Sequence, residues 1–503
     1  MSKFNKKKAG TKTTNLAGGK SYKESPELEL VSLLLTSFVK DQYYRDSGTA
    51  LKQLEAVVKK LPDLSFGAKA GIYARTEFGM RSITHALASI IANEIKGQGV
   101  SWGKSFFNKV VYRTDDITEI LANYFDKYSK DKKRAVLPNA LKKGLAKAFD
   151  KFDAYQIAKY KGGTKEVSLL DAINLVRPRP TEKNAEALKK LVVDNKLSSD
   201  GTWETKLTKA GQTAKTEEEK EKFKADAWKE LVGTRKIGYF ALLRNLRNIA
   251  EQSPDMLDKA LDMLRDEKLI KKSLVLPFRF YTAYKEFKNS RLDRARDIMV
   301  AIDDAVEISL NNVPKFDGSM LVALDDSGSM GGFGYGDRDK QTPIEIGALF
   351  AAVLVKTNNC DFLMFSDDAR YVNVNPKDSV MTITEHIAKN NHGGGTDFGY
   401  PFTRAKKKYD RIILMSDMQG WKETSWGWGS SGVTAPKAFK TYQDKYGVGT
   451  HLYSFDLAGY GTLEFPENQV YCLAGFSDKV FDMMKLLEQD KKALVNKIKK
   501  VEL

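Results

Sequence analysis

Between Ser25 and about Leu310 apolar residues return at three- and four-residue steps, the spacing that lets a helix bury one face. Leu28–Val39, Thr49–Lys60, Phe66–Thr76, Ser82–Glu94, Ile117–Tyr128 and Leu141–Phe152 carry this pattern. It resumes at Trp228–Gly233, Tyr239–Ile249, Met256–Glu267, Pro277–Phe287 and Asp293–Leu310, with Ser, Thr or Asp at many starts and Gly or Pro at many stops. Leu207–Lys224 interrupts the series as a charged, Thr-rich stretch, predicting an exposed loop with a solvated helix. Helices in long series predict a solenoid-like stack in which each pair covers its neighbour, although no strict sequence period is visible.

The pattern changes after Val313-Pro314. Short apolar runs at Met320–Leu324, Phe362–Phe365, Arg411–Met415, His451–Phe455 and Val470–Leu473 predict strands. They alternate with helical patterns at Ile344–Val355, Val380–Asn390, Pro401–Lys408, Pro436–Lys445 and Phe481–Lys500. Such alternation predicts a parallel sheet covered on both faces, with ligands at the carboxyl ends of its strands. The expected organisation is therefore multidomain. A basic tail occupies residues 1–20, an all-α helical-repeat domain 21–312, and an α/β doubly wound domain 313–503.

Charge sharpens the division. The 503-residue chain has a net charge of +17, but residues 1–300 carry +21 and residues 301–503 carry −4. A positive helical half is what a polyanion-binding surface requires; a lysine-rich solvated face is the plainer reading of charge alone. Two cysteines, Cys360 and Cys472, lie in apolar runs and supply neither a disulfide framework nor a cysteine-rich zinc site. The first twenty residues lack the apolar core of a secretory signal, and Ile346–Val355 is half a bilayer crossing, so a cytoplasmic, membrane-free protein is expected.

Candidate chemistry sits where the first C-terminal strand ends, at Leu324-Asp325-Asp326-Ser327-Gly328-Ser329. A hard divalent cation, Mg²⁺ above all, takes one or two carboxylates with neutral oxygens. Asp325 offers the carboxylate, while Ser327 and Ser329 offer hydroxyls from one turn. Gly393-Gly394-Gly395-Thr396 brings a hydroxyl on a loop, and Ile412-Ile413-Leu414-Met415-Ser416-Asp417 ends a strand in a second carboxylate. Together these pieces resemble the metal-ion-dependent adhesion site of von Willebrand A domains. The resemblance implies metal contact by Asp325, Ser327, Ser329, Thr396 and Asp417, and an open position for an acidic side chain from a partner. His392 beside the glycine loop reads as a surface histidine. The run Trp421-Lys422-Glu423-Thr424-Ser425-Trp426-Gly427-Trp428 reads either as a partner anchor or as self-packed aromatics.

In the basic half, Lys143, Lys147 and Lys151 fall at four-residue spacing, with Lys142 beside them and Lys159 and Lys161 further on. Such a ridge would neutralise phosphates with little regard to sequence. Arg244 and Arg247 would clamp phosphate or stack on bases; alternatively, Arg244-Asn245 ties helix ends together. Arg113 with Asp115 and Asp116 reads as a helix-start ion pair.

Several phrases of this half are similar to the TROVE domain of the Ro autoantigen family: Tyr73-Ala74-Arg75 with Met80-Arg81, Tyr112-Arg113-Thr114-Asp115-Asp116, Leu137-Pro138-Asn139-Ala140-Leu141-Lys142-Lys143-Gly144, Tyr155-Gln156-Ile157-Ala158-Lys159-Tyr160-Lys161 and Ala241-Leu242-Leu243-Arg244-Asn245-Leu246-Arg247-Asn248-Ile249, then Leu276-Pro277-Phe278-Arg279. With the von Willebrand A-like part, the resemblance spans about Gly18 to Phe481. It implies a ring of HEAT-like repeats closed by the α/β domain, and a monomer. It also implies binding of Y-like small RNAs and of single-stranded ends of misfolded noncoding RNAs. Bacterial relatives tether exoribonucleases in RNA degradation and rRNA maturation, so a nuclease and rRNA enter as implied partners. Arg177-Pro178-Arg179-Pro180 departs from the His-x-Lys-Pro-like phrase of many relatives, which implies a different RNA preference. The expected function is non-catalytic RNA binding in RNA quality control. The alternative is a metal-dependent protein–protein adaptor. A nuclease is disfavoured, since two-metal phosphoryl transfer clusters several carboxylates and only Asp325 and Asp417 are assigned here.

Overall fold

The computed structural model describes residues 11–36, 47–130, 134–159, 166–194, 207, 216–273, 275, 277–288, 290–310, 314–331, 342–421, 433–475, 479–490 and 492–503. Their chain path forms two compact units. One draws on Met1–Val57, Leu276–Lys285 and Ile302–Lys497, the other on Val58–Val275, Glu286–Ala301 and Ile498–Leu503.

The second unit is helical. Leu64–Glu77 packs on Ser82–Glu94, which packs on Thr114–Tyr128, while Gly103–Lys109 lies against Asn139–Ala148. This neighbour-on-neighbour stacking is the arrangement expected from serial amphipathic helices. The last crossing is close because position 144 is glycine: a Cβ there would stand 2.5 Å from the Phe107 Cβ and 2.7 Å from the Lys104 carbonyl oxygen. Glu217–Gly233 begins with solvated glutamates and ends on buried Trp228, whose indole N–H donates to Gln252 at 2.9 Å. The expected solvated helix is thus present, displaced toward the C-terminus; residues 208–215 lie outside the described set. The C-terminus closes on the same unit, with Lys69 and Lys109 donating to the carbonyls of Lys499 (2.6 Å) and Glu502 (3.1 Å).

The first unit holds the sheet. Strands β1 (Lys12–Thr14) and β2 (Lys20–Lys23) form an N-terminal hairpin; β3 (Met320–Asp325), β4 (Cys360–Phe365), β5 (Ala369–Tyr371), β6 (Arg411–Ser416), β7 (His451–Asp456), β8 (Thr462–Leu463) and β9 (Tyr471–Ala474) follow. The main sheet runs β5-β4-β3-β6-β7-β9, parallel except for the antiparallel edge strand β5. Both faces are covered. Leu321, Ala323, Leu363, Ile412 and Leu414 join Phe398, Phe402, Phe439 and Tyr442 in one core. On the other face Phe350, from the helix Pro343–Thr357, meets Phe455 and Phe481 at centroid distances of 5.4 and 5.3 Å. Gly347 lets that helix approach the sheet, since a Cβ there would lie 2.4 Å from the Leu324 side chain. The doubly wound α/β expectation holds.

Four expectations are corrected. Residues 11–20 are not a tail: they belong to the hairpin, and β2 pairs with β8 through Tyr22↔Leu463 and Lys23↔Thr462. The helical domain does not start at residue 21, because Pro26–Thr36 packs with the sheet unit; strand pairing and apolar burial outrank sequence adjacency here. The helix expected over Pro401–Lys408 shrinks to Tyr400–Thr403. The pattern Phe481–Lys500 divides into Lys479–Gln489 and Ala493–Lys499.

Candidate RNA interface and cation site

In the helical unit a buried ionic cluster organises the basic surface. Asp116, fully buried at the start of Thr114–Tyr128, meets Arg75 at 3.0 Å, Arg81 at 2.7 Å and the His85 ring at 3.1 Å, and accepts the backbone N–H groups of Tyr112 (2.8 Å) and Arg113 (2.9 Å). Burial opposes its ionisation, but His85, Arg75 and Arg81 hold its carboxyl well below the usual range. Arg81 reaches Asp115 (2.7 Å) and Glu119 (2.9 Å) as well, and Arg113 pairs with Asp115 at 3.0 Å. The helix-start ion pair is therefore present, and the Tyr-Ala-Arg and Met-Arg phrases serve its anchorage.

Beside this cluster lies a cavity of about 990 Å³ lined by Arg81, Arg113, Lys159, Arg244 and Lys272, with Tyr239, Phe240, Asn245 and Asn248. Among the described residues no carboxylate lines it. The Arg244 guanidinium sits 5.7 Å from the centre of the Phe240 ring, itself 41% exposed, so cation, aromatic face and amide groups share one wall. Asn245 lies where Tyr239–Arg244 gives way to Leu246–Gln252, donating to the Ala241 carbonyl at 2.8 Å and accepting from Asn248 at 3.0 Å. Its helix-joining role and the arginine's place in the cavity coexist.

The lysine ridge comes apart. Lys143 is exposed at a second cleft of about 610 Å³ with Lys96 and Lys104, and Lys142 is half-buried beside it. Lys147 is paired with Asp150 at 2.6 Å. Lys151 leaves the face altogether, because the helix ends at Ala148 and tightens into the 3₁₀ turn Phe149–Lys151. Its ammonium donates to the Asn108 and Val111 carbonyls at the end of Gly103–Lys109, and desolvation there brings its pKa down to about 8. Arg247 is diverted to Glu286 at 2.9 Å. Lys161 lies outside the described residues. Of the eight cations expected to meet RNA, Lys159 and Arg244 share the larger cavity; Arg81, Arg113 and Lys272 join them, and no local spacing announces it.

In the α/β unit Asp325, Ser327, Ser329 and Asp417 come together at the carboxyl end of β3 and β6, and Thr396 follows on the glycine loop tied to that end. Asp325, Ser327, Ser329, Thr396 and Asp417 are all at most 4% exposed. Asp325 accepts the Ser327 N–H at 2.8 Å on one oxygen and the Ser416 hydroxyl at 2.5 Å on the other. The Ser327 and Ser329 hydroxyls stand 3.3 Å apart. The glycine loop is tied in by Gly328 N–H to Gly394 O (3.1 Å) and Gly393 N–H to Asp326 O (3.0 Å); Gly393 and Gly394 have φ of +73° and +102°, a conformation other residues avoid. Asp326 turns away to Arg370 at 2.6 Å and accepts the N–H of exposed His392 at 3.0 Å, so His392 is a surface residue that meets the site through its backbone.

Burial pushes the Asp325 carboxyl up to about 7 against the pull of the Ser416 and Ser327 hydrogen bonds. Burial, then the charge of Asp325, raises Asp417 well above the ordinary carboxylate range. Among the described residues neither carboxylate oxygen of Asp417 has a hydrogen bond of ordinary geometry, although the Ser329 hydroxyl and the Gln419 backbone are near enough to favour its ionised form. A buried carboxylate left in this state, facing a second carboxylate and hydroxyls, is a donor set that suits a hard divalent cation. Among the described residues no group of three His, Cys, Asp or Glu side chains could hold a metal. Trp421 is 37% exposed beyond this edge; Trp426 and Trp428 lie outside the described residues. Neither cysteine forms a disulfide, and burial pushes the Cys360 thiol up to about 12.

A basic helical-repeat unit with an arginine- and aromatic-lined cavity, joined in one chain to a von Willebrand A-type sheet, defines the class of an RNA-binding Ro-like protein. Residues 36–223 and 194–312 match the TROVE domain, and residues 319–486 match the Ro60 vWA domain. The chain belongs to the TROVE family of Ro-like proteins. Over 338 residues it is 23% identical to the telomerase protein component 1 of Mus musculus, a match that covers 52% of this chain and 13% of that much longer protein. The fold is similar to the crystal structure of the Deinococcus radiodurans Ro (Rsr) protein, with TM-score 0.58, 17% identity, and coverage of 91% of this chain and 99% of that one. Among the described residues no helix is long and apolar enough to cross a membrane.

Proposed function

We propose that the chain is a non-catalytic, monomeric RNA-binding scaffold of RNA quality control in the cytoplasm. It takes Y-like small RNAs and single-stranded ends of misfolded noncoding RNA, rRNA among them, and presents them to a partner such as an exoribonuclease. The observation that carries this reading is the cavity whose charged lining among the described residues is cationic, with Phe240 and Arg244 on one wall. Arginine and aromatic faces stack on unpaired bases, and clustered cations displace counterions from phosphates. The cation site, with Asp325, Ser327, Ser329, Thr396 and Asp417 holding Mg²⁺, would give the scaffold its grip on an acidic protein partner.

Anisotropy of a labelled RNA with a single-stranded end, titrated with the full chain at several salt concentrations, tests the reading. Arg244→Glu with Lys272→Glu is expected to lower affinity more than tenfold, and to flatten the salt dependence by about 0.7 of a log–log slope unit per lost phosphate contact. Affinity that ignores both salt and these substitutions refutes RNA recognition at this cavity.

The adaptor reading draws on the buried Asp417 carboxylate alone. It requires that Asp417→Asn abolish partner capture while RNA binding is negligible in the unaltered chain.

A further inference from the structure

The turn that carries Asp417 is held from two sides. On the inner side Ser416 donates to Asp325 at 2.5 Å and accepts the Met418 N–H at 3.0 Å. On the outer side stands the N-terminal hairpin, some four hundred residues away in sequence. Asn15 is buried, and its amide N–H groups reach the Gly420 carbonyl (2.6 Å) and Glu464 (3.3 Å). Its amide oxygen accepts the Gly19 N–H at 2.8 Å, closing the hairpin turn. The Leu16 N–H donates to the Gln419 side chain at 2.7 Å, and Glu464 accepts the Gly420 N–H at 3.1 Å. Gly19 fits this contact as no other residue can: a Cβ would stand 1.8 Å from the Gly420 carbonyl oxygen. Between these two clamps Met418 adopts φ +58°, a left-handed conformation that a side-chain-bearing residue keeps only when its surroundings enforce it.

We infer that the N-terminal hairpin is a working part of the cation site: Asn15 and Gly19 are positioning residues that hold the Asp417–Gly420 turn in its ligating shape, so that cation occupancy and hairpin docking stabilise one another. The inference rests on reading Asp325 and Asp417 as cation ligands. It extends that reading to a segment which no ligand motif marks. Coupling of this kind is reciprocal: whatever the hairpin adds to cation affinity, the cation returns to hairpin docking.

The full chain is titrated with MgCl₂ by calorimetry, and amide hydrogen exchange over residues 12–23 is followed with and without Mg²⁺. Asn15→Ala, which removes the amide clamp, and Gly19→Ala, which forces the two backbones apart, are expected to weaken Mg²⁺ binding by about five- to a hundred-fold. Thr14→Ala, on the exposed side of the same hairpin, is expected to bind as the unaltered chain does. In the unaltered chain Mg²⁺ is expected to slow exchange across the hairpin, a readout that needs no variant to fold. Unchanged affinity in Asn15→Ala, or hairpin exchange indifferent to Mg²⁺, overturns the coupling while the cation site stands. Failure of the unaltered chain to bind Mg²⁺ overturns the cation site and the coupling with it.

Discussion

At the residue scale Asp116 illustrates how one buried charge gives family phrases their meaning. Three cationic or ring side chains and two backbone N–H groups converge on it, so its removal strands Arg75 and Arg81 without their partner in a buried setting. Asp116→Asn is expected to lower unfolding free energy by about 3–5 kcal/mol, the usual cost of breaking a buried pair from one side. Because the folded-state carboxyl lies well below its ordinary value of 3.8, its stabilisation is complete above that pH and shrinks below it, where the unfolded chain takes up a proton that the folded form still refuses. Urea unfolding at pH 7 and pH 3 should show the gap between the two proteins narrowing in acid; an equal gap at both would refute the assignment. Lys151 gives the opposite lesson. Its four-residue spacing from Lys147 suggested a shared ridge, but the 3₁₀ turn redirected it to a helix end.

At the scale of elements, the close crossing of Gly103–Lys109 and Asn139–Ala148 depends on the absence of a side chain at position 144. Gly144→Ala improves intrinsic helix propensity by about 1 kcal/mol, yet it forces a methyl into backbone and the Phe107 stem. Overpacking of that kind typically costs about 1–3 kcal/mol, so a net loss is expected in a urea melt, and a gain would show that the crossing is looser than described. The helices of this unit were legible because burial of one face writes a 3.6-residue period into the chain. Strands β3, β4, β6, β7 and β9 were legible for a related reason: buried on both faces, they are continuous apolar runs. β1, β2, β5 and β8 were not, since strands of two to four residues are too short to show a periodic pattern.

At the scale of the whole molecule, charge and cation binding set how stability should respond to solution conditions. Without metal, the folded chain keeps protons on the Asp325–Asp417 pair over the interval from 3.8 to about 7, where an unfolded chain has released them. The folded state therefore binds more protons there, and the pair's contribution to stability falls as pH rises through that interval. A divalent cation at the proposed site would replace those protons. Mg²⁺ should raise the melting temperature of the intact chain at pH 8 and do little at pH 5. A shift of equal size at both values would point to binding elsewhere, and Asp325→Ala should remove the shift at pH 8.

What the sequence determined by itself is what local chemistry writes into local order: helix period, apolar strands, the charge imbalance between the halves, and a cation motif whose pieces each end a strand or fill a loop. The tertiary structure alone decided which cations share a cavity, which are spent on Asp150, Glu286 or a helix end, and that Asn15 and Gly19 brace the turn after Asp417. The reason is physical. A hydrogen bond or ion pair depends on distance in space, and the residues it joins here stand up to some four hundred positions apart, beyond the reach of any pattern along the chain.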